Sequence, residues 1–293
     1  MIDLGLYQGL PDILYTEGLL PVVDVVWDVG WSQPTVESLR SAEGAAGQSR
    51  RTALPRRGVI AVFLRELPDM LRVLERDGGG GRYIVVARDG DSLLSRVLTQ
   101  GLPSCVQHLF AVYTQTSART TPMPFALRWR THVESLVPYL AVPRTKERSV
   151  LVAHQNLHWF RPGHERRVAN AYFRDKPWAT VREAPDNQYP MTNDEYLRAL
   201  RSHDYFVAAS GDGNQDGGVE RVAMWEGLAL GCVPLCTRRQ VQWNDLPVAV
   251  VDCWEQVTEG LCDASIDALH NQSLDRVRLT YWLKKIYDKT REL

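Results

Sequence analysis

The chain has 293 residues, 44% apolar and 24% charged, with a formal net charge of −1. These totals suit an ordinary globular protein of about two domains. They exclude a global field that would draw the chain to nucleic acid or an anionic membrane, so any polyanion contact has to be local. No run approaches the roughly 20 apolar residues that a membrane helix requires.

The N-terminus, MIDLGLYQGLPDILYTEG, carries acids and no basic region. It does not read as a signal peptide, and a cytoplasmic chain is the expectation. The five cysteines, Cys105, Cys232, Cys236, Cys253 and Cys262, are odd in number and form no CxxC pair. Buried thiols in a reducing compartment are therefore expected, not zinc or a disulfide framework.

Pro21–Trp27 reads as a strand or the entry to one. Ser41–Gly58 is small, basic and aperiodic, so it reads as a surface loop. Its pairs Arg50-Arg51 and Arg56-Arg57 are either solvated or contacts for an anionic acceptor. Val59–Leu64 is a buried strand, and Leu67–Arg76 a helix with Leu67, Met70, Leu71 and Leu74 on one face. Asp77–Gly81 precedes a strand, which makes it a turn and not a phosphate cradle. Tyr83–Ala87 is the next strand. Asp89 and Asp91 follow it, at the edge where open α/β sheets place ligands; they serve either as turn formers or as acid–base groups. Val106–Tyr113 is a further strand, Pro122–Leu127 an extended segment, and Val142–Arg148 a polar link. Alternating strands and helices imply a parallel sheet.

The second half begins with strand Val150–Ala153, followed by polar Asn156 and by a helix, Gly163–Phe173, carrying Arg166 and Arg167. Strand Trp178–Val181 and helix Asn193–Ser202, with Tyr196, Leu197 and Leu200 inward, come next. Tyr205–Ala209 is a buried strand. Ser210–Gly218 (SGDGNQDGG) then carries four glycines, so its backbone can approach a ligand closely. Val219–Leu230 reads as a helix whose N-terminus favours an anion. Pro247–Asp252 is a strand and Trp254–Leu261 a helix. Ser273 caps a last helix, Leu274–Arg291.

Glu226 stands out in the helix after the glycine loop. It shares a stripe with Val222, Ala223 and Leu230, where an ionised carboxylate is costly unless bonded. It either accepts hydrogen bonds from ligand hydroxyls or is a rim residue paired with an arginine; the spacing leaves both open.

Glu220-Arg221, Trp225-Glu226-Gly227-Leu228, Gly231-Cys232-Val233-Pro234 and Asn244-Asp245-Leu246-Pro247 together resemble the donor half of exostosin-type glycosyltransferases, over about Ser149–Cys262. The resemblance implies an α/β protein of GT-B fold, with two Rossmann-like domains facing a cleft and a C-terminal helix crossing back to the first. The corresponding bounds are 1–147, 148–272 and 273–293. It implies a nucleotide-diphosphate sugar as donor, with UDP-sugar the expectation. Arg221 would contact the diphosphate and Glu226 the ribose, with Gly211, Gly213, Asn214 and Gly218 in the loop and Asn156 and Arg166 in the donor site. Gly227 stands where the family usually has Ala. Gly218 stands where retaining enzymes tend to carry a further Glu, which leans toward inversion.

An inverting transfer needs a base, and Asp89 and Asp91 are the candidates, with Asp24, Asp28 and His108 behind them. No metal or cofactor is expected: His154, His158 and His164 lack a fourth ligand, and no DxD triplet stands in the donor half. The acceptor best guess is a hydroxymethylated base in double-stranded DNA, its phosphates gripped by arginines. A glycan, a lipid-linked sugar and a small molecule are alternatives. A non-catalytic nucleotide-sugar-binding module is a further reading. A dinucleotide-dependent oxidoreductase fits worse, because no GxGxxG follows an early strand.

Overall fold

The computed structural model describes residues 19, 23–27, 56–77, 80–88, 101–112, 116–124, 127, 130–141, 143–144, 148–156, 158, 161–209, 222–237, 246–260 and 274–293. Two compact units emerge. The first takes in Tyr15–Arg128 and Leu279–Leu293, the second Trp129–Arg278.

In the first unit β1 (Val25–Trp27), β2 (Arg57–Phe63), β3 (Arg82–Arg88), β4 (Val106–Ala111) and β5 (Thr120–Pro122) form one parallel sheet in that spatial order. Successive residues Val59, Ile60, Ala61 and Val62 are all buried. A strand covered on both faces has to be apolar without alternation, which is what the sequence supplies. Between β2 and β3 runs α1 (Leu67–Asp77). Its stripe of Leu67, Met70, Leu71 and Leu74 joins Ile60, Val62, Val85 and Leu109 in one core cluster.

The second unit opens with α2 (Arg130–Leu140), a helix absent from the sequence reading of that stretch. Val133 and Leu136 are buried and Leu140 is half-buried, the i, i+3, i+7 spacing of an inward stripe. Pro138 sits inside the helix near its end. Then follow β6 (Arg148–Ala153), α3 (Glu165–Phe173), β7 (Ala179–Arg182), α4 (Asn193–Ser202), β8 (His203–Val207), α5 (Val222–Leu230), β9 (Val233–Thr237) and β10 (Ala249–Val251). The strands make a second parallel sheet in the order β10-β9-β8-β6-β7. Its core gathers Val150, Val152, Phe173, Tyr205, Val207, Leu235 and Trp254. The division falls ahead of α2 because that helix packs against α4 and α5; the sequence reading puts it at 147/148.

Helix ends follow local chemistry. His164 caps α3, its Nδ1 accepting from the Arg166 N–H at 3.3 Å. Thr192 caps α4 in a capping box: its hydroxyl accepts from the Glu195 N–H, and the Glu195 carboxylate accepts from the Thr192 N–H.

The last element, α6 (Leu279–Thr290), belongs to the first unit. Leu279, Trp282, Leu283 and Ile286 are its buried residues. Beyond it the Arg82 guanidinium donates to the carbonyls of Glu292 (3.0 Å) and Leu293 (2.8 Å).

Three expectations are corrected. The final helix does not run from Leu274: a 3-10 turn, Asp275–Val277, ends in extended Arg278 before α6 starts, and Ser273 lies outside the described residues. Leu274 is 40% exposed and does not join the apolar face. At Trp254 a 3-10 turn, Trp254–Gln256, stands in place of the expected helix start, because Val257 is extended. Cys105, Cys232 and Cys236 are buried free thiols as expected, but Cys253 is exposed.

Candidate functional site

In the second sheet the chain starts at β6, moves out to β7, then returns past it to β8, β9 and β10. The order therefore reverses around β6, and open α/β sheets bind ligands at the carboxyl ends of the strands flanking such a reversal. Two segments leave there. His154, Gln155 and Asn156 follow β6; Ala208 and Ala209 follow β8.

After β8, Ala208 still pairs with the neighbouring strand, its N–H donating to the Leu235 carbonyl at 2.9 Å. The glycine loop comes next. Gly211, Gly213, Asn214, Gly218 and Arg221 lie outside the described residues. Helix α5 lies against β8. A Cβ built on Gly227 would come within 2.2 Å of the Phe206 ring. The helix ends in a Schellman turn: the Gly231 N–H donates to Leu228 (3.2 Å) and the Cys232 N–H to Gly227 (2.8 Å). Gly231 has φ +78°, as that turn demands. Arg201 closes it by donating to the Leu230 carbonyl at 2.9 Å.

Glu226 lies on the half-buried side of α5 with Val222, Ala223 and Ala229, while Met224, Trp225, Gly227, Leu228 and Leu230 are buried. The fully apolar stripe expected from Leu230 is thus a rim. Its carboxylate forms no ion pair or hydrogen bond among the described residues. Burial pushes the carboxyl up to about 7 from an ordinary 4.5, since an enclosed carboxylate loses hydration that nothing replaces. Helix α4, which packs against α5, carries the half-buried Tyr196. Burial above all, then the charges of Glu226 and Cys232, holds its phenol well above the ordinary value.

On the β6 side Asn156 is buried, and its Oδ1 has no hydrogen-bond partner among the described residues. Its carbonyl accepts from the Asn187 N–H at 2.7 Å. Asn187 adopts φ +68°, a conformation asparagine tolerates better than most residues. The Asn187 Oδ1 in turn accepts from the His158 N–H at 3.4 Å. The loop after β7 is thereby bonded to the loop after β6.

Arg166 is not an exposed helix charge. It is buried, its guanidinium donates to the Gln155 carbonyl, and its own carbonyl accepts from His154 Nε2 at 3.0 Å. It is a strut beneath the β6 loop. Arg167 is bonded to both oxygens of Asp186 at 2.9 Å.

Asp89, Asp91 and Asp28 lie outside the described residues. Asp24 precedes β1 at the amino edge of the first sheet, away from the carboxyl ends of its strands, and its Oδ2 accepts from the Val59 N–H at 2.7 Å. His108 is a core histidine: it is buried, hydrogen bonds with the Thr121 hydroxyl at 2.8 Å and packs on Phe110. Desolvation, then Lys289, lowers it to about 4.

Of the residues singled out in the sequence, Asn156 lies in the loop at the end of β6, Arg166 on α3 bonds to that loop through the Gln155 carbonyl, and Glu226 lies on the helix that follows β8. Tyr196, read there as packing, is what that reading missed. Its one signal is a phenol on an inward face, which a purely apolar residue would fill more cheaply. No protein-family model matches the chain, and no curated protein matches it.

Proposed function

We propose that the chain is a glycosyltransferase of GT-B type, with two Rossmann-like domains, that moves a sugar from a nucleotide-diphosphate sugar to an acceptor hydroxyl, inverting and without a metal. The observation that carries the reading is Glu226: a half-buried carboxylate with no partner among the described residues, on the helix after β8, which follows the reversal of strand order in the second sheet. A carboxylate kept there at a desolvation cost suits a ligand that supplies hydroxyl donors, as a ribose does. The start of that helix and Arg221 suit the diphosphate, whose growing charge they would stabilise as it leaves. Asn156, buried with an unspent acceptor, is the second donor-side contact, and Arg166 positions its loop. Asp89 or Asp91, directly after β3, is assigned the acceptor proton.

The acceptor we favour is a hydroxymethylated base in duplex DNA; the alternative is a glycan, lipid-linked or small-molecule acceptor. Binding of duplex DNA falls steeply with salt, whereas binding of a neutral glycan does not.

The test is a thermal-shift panel of nucleotide sugars on the wild type, Arg221→Ala and Glu226→Ala. One donor class stabilises the wild type, and both variants lose most of that shift. Equal stabilisation of all three proteins would refute the assignment.

A further inference from the structure

The first turn of α4 is fixed from several sides. The Thr192–Glu195 capping box closes its start. Asp194, on its outer face, accepts from the Tyr139 hydroxyl and from Arg198 Nε at 2.8 Å. Leu197 and Leu200 are buried in the core. Tyr196 thus stands, half-buried, in a capped first turn of a helix packed against α5.

Glu226 occupies the half-buried side of α5. The Arg201 bond to the Leu230 carbonyl joins the ends of the two packed helices, so Tyr196, five residues before Arg201, and Glu226, four before Leu230, stand at similar levels; neither hydrogen bonds to the other or to any described residue. One donor and one acceptor thus stand unspent on adjoining helices. A vicinal diol matches the pair: one hydroxyl donates to the carboxylate, the oxygen of its neighbour accepts from the phenol.

We propose that Tyr196 is a specificity-determining contact that, together with Glu226, reads the two ring hydroxyls of the ligand's pentose and so separates ribose from deoxyribose. This rests on the donor reading above. It adds to that reading a residue from a different helix and a selectivity, since a site built around a substrate hydroxyl discriminates strongly against the analogue lacking it.

The experiment titrates wild type, Tyr196→Phe and Glu226→Gln calorimetrically with UDP, ADP and GDP and with their 2′-deoxy and 3′-deoxy forms. The wild type binds at least one ribonucleotide, and prefers it to a deoxy form by roughly tenfold or more. Tyr196→Phe weakens that ribonucleotide by roughly three- to tenfold, the size of one neutral hydrogen bond, and leaves one deoxy form unchanged. Tyr196→Phe indistinguishable from wild type, or equal losses on all forms, overturns the inference while leaving the donor reading standing. A wild type that binds none of the nucleotides sinks the donor reading, and this inference with it.

Discussion

Glu226→Gln is expected to make the unliganded protein more stable and worse at binding. In the folded chain the carboxyl titrates at about 7 against an ordinary 4.5. The native state thus holds a proton that the unfolded chain has lost over this window, so the contribution is favourable below it and declines as pH rises through it. At one pKa unit to 1.36 kcal/mol, the full shift is about 3 kcal/mol. Solvent at the half-exposed side discounts this, so roughly 1–3 kcal/mol is the expected penalty at about pH 8. Glutamine keeps the shape and removes the ionisation. Denaturant unfolding should give Glu226→Gln a higher midpoint than wild type at about pH 8 and a nearly equal one at about pH 4. A variant that is no more stable at the higher pH, or whose advantage does not change with pH, would mean that the carboxylate is compensated in the native state. The claim that it awaits a ligand would fall with it.

Gly227→Ala should destabilise by about 1–3 kcal/mol, because the new methyl overlaps the Phe206 ring; an exposed helix would instead gain about 1 kcal/mol, so the sign in an unfolding titration is decisive. Gly231→Ala should cost about 1–2 kcal/mol, since it forces a Cβ into the left-handed turn that ends α5, and Gly231→Asn should cost less. For His108 the unfolded ring takes up a proton that the folded ring refuses, so stability is lost as pH falls from 6.5 toward about 4. His108→Gln should flatten the stability profile across that interval, and an unchanged slope would place the acid sensitivity elsewhere.

The strands were legible because a sheet covered on both faces needs uninterrupted apolar runs, and Val59–Val62 and Tyr205–Val207 have no other plausible use. Helix α4 was legible down to its first and last residues from its inward Tyr196, Leu197 and Leu200, while the Thr192–Glu195 capping box that fixes its start is a finding of the structure. Helix α2 was passed over although Val133 and Leu136 carry the stripe; Pro138 and the exposed Val137 dilute it. The start of α6 was misplaced because Leu274 and Val277 extend its pattern in sequence, while a single extended residue, Arg278, separates them in space. Within the candidate site, Glu226 was found by its conflict with its neighbours. The roles of Arg166 and Asn187 were hidden, because each depends on a backbone carbonyl of a distant loop, and no side-chain pattern encodes that.

The bond from Asn187 to the Asn156 carbonyl means that the connector leading into α4 cannot shift independently of the segment leaving β6. A group that grips Asn156 would also restrain the capped start of α4, and with it the angle at which Tyr196 is offered. Deuterium uptake at the Asn187 amide, which donates to the Asn156 carbonyl, would then report a ligand bound at Asn156.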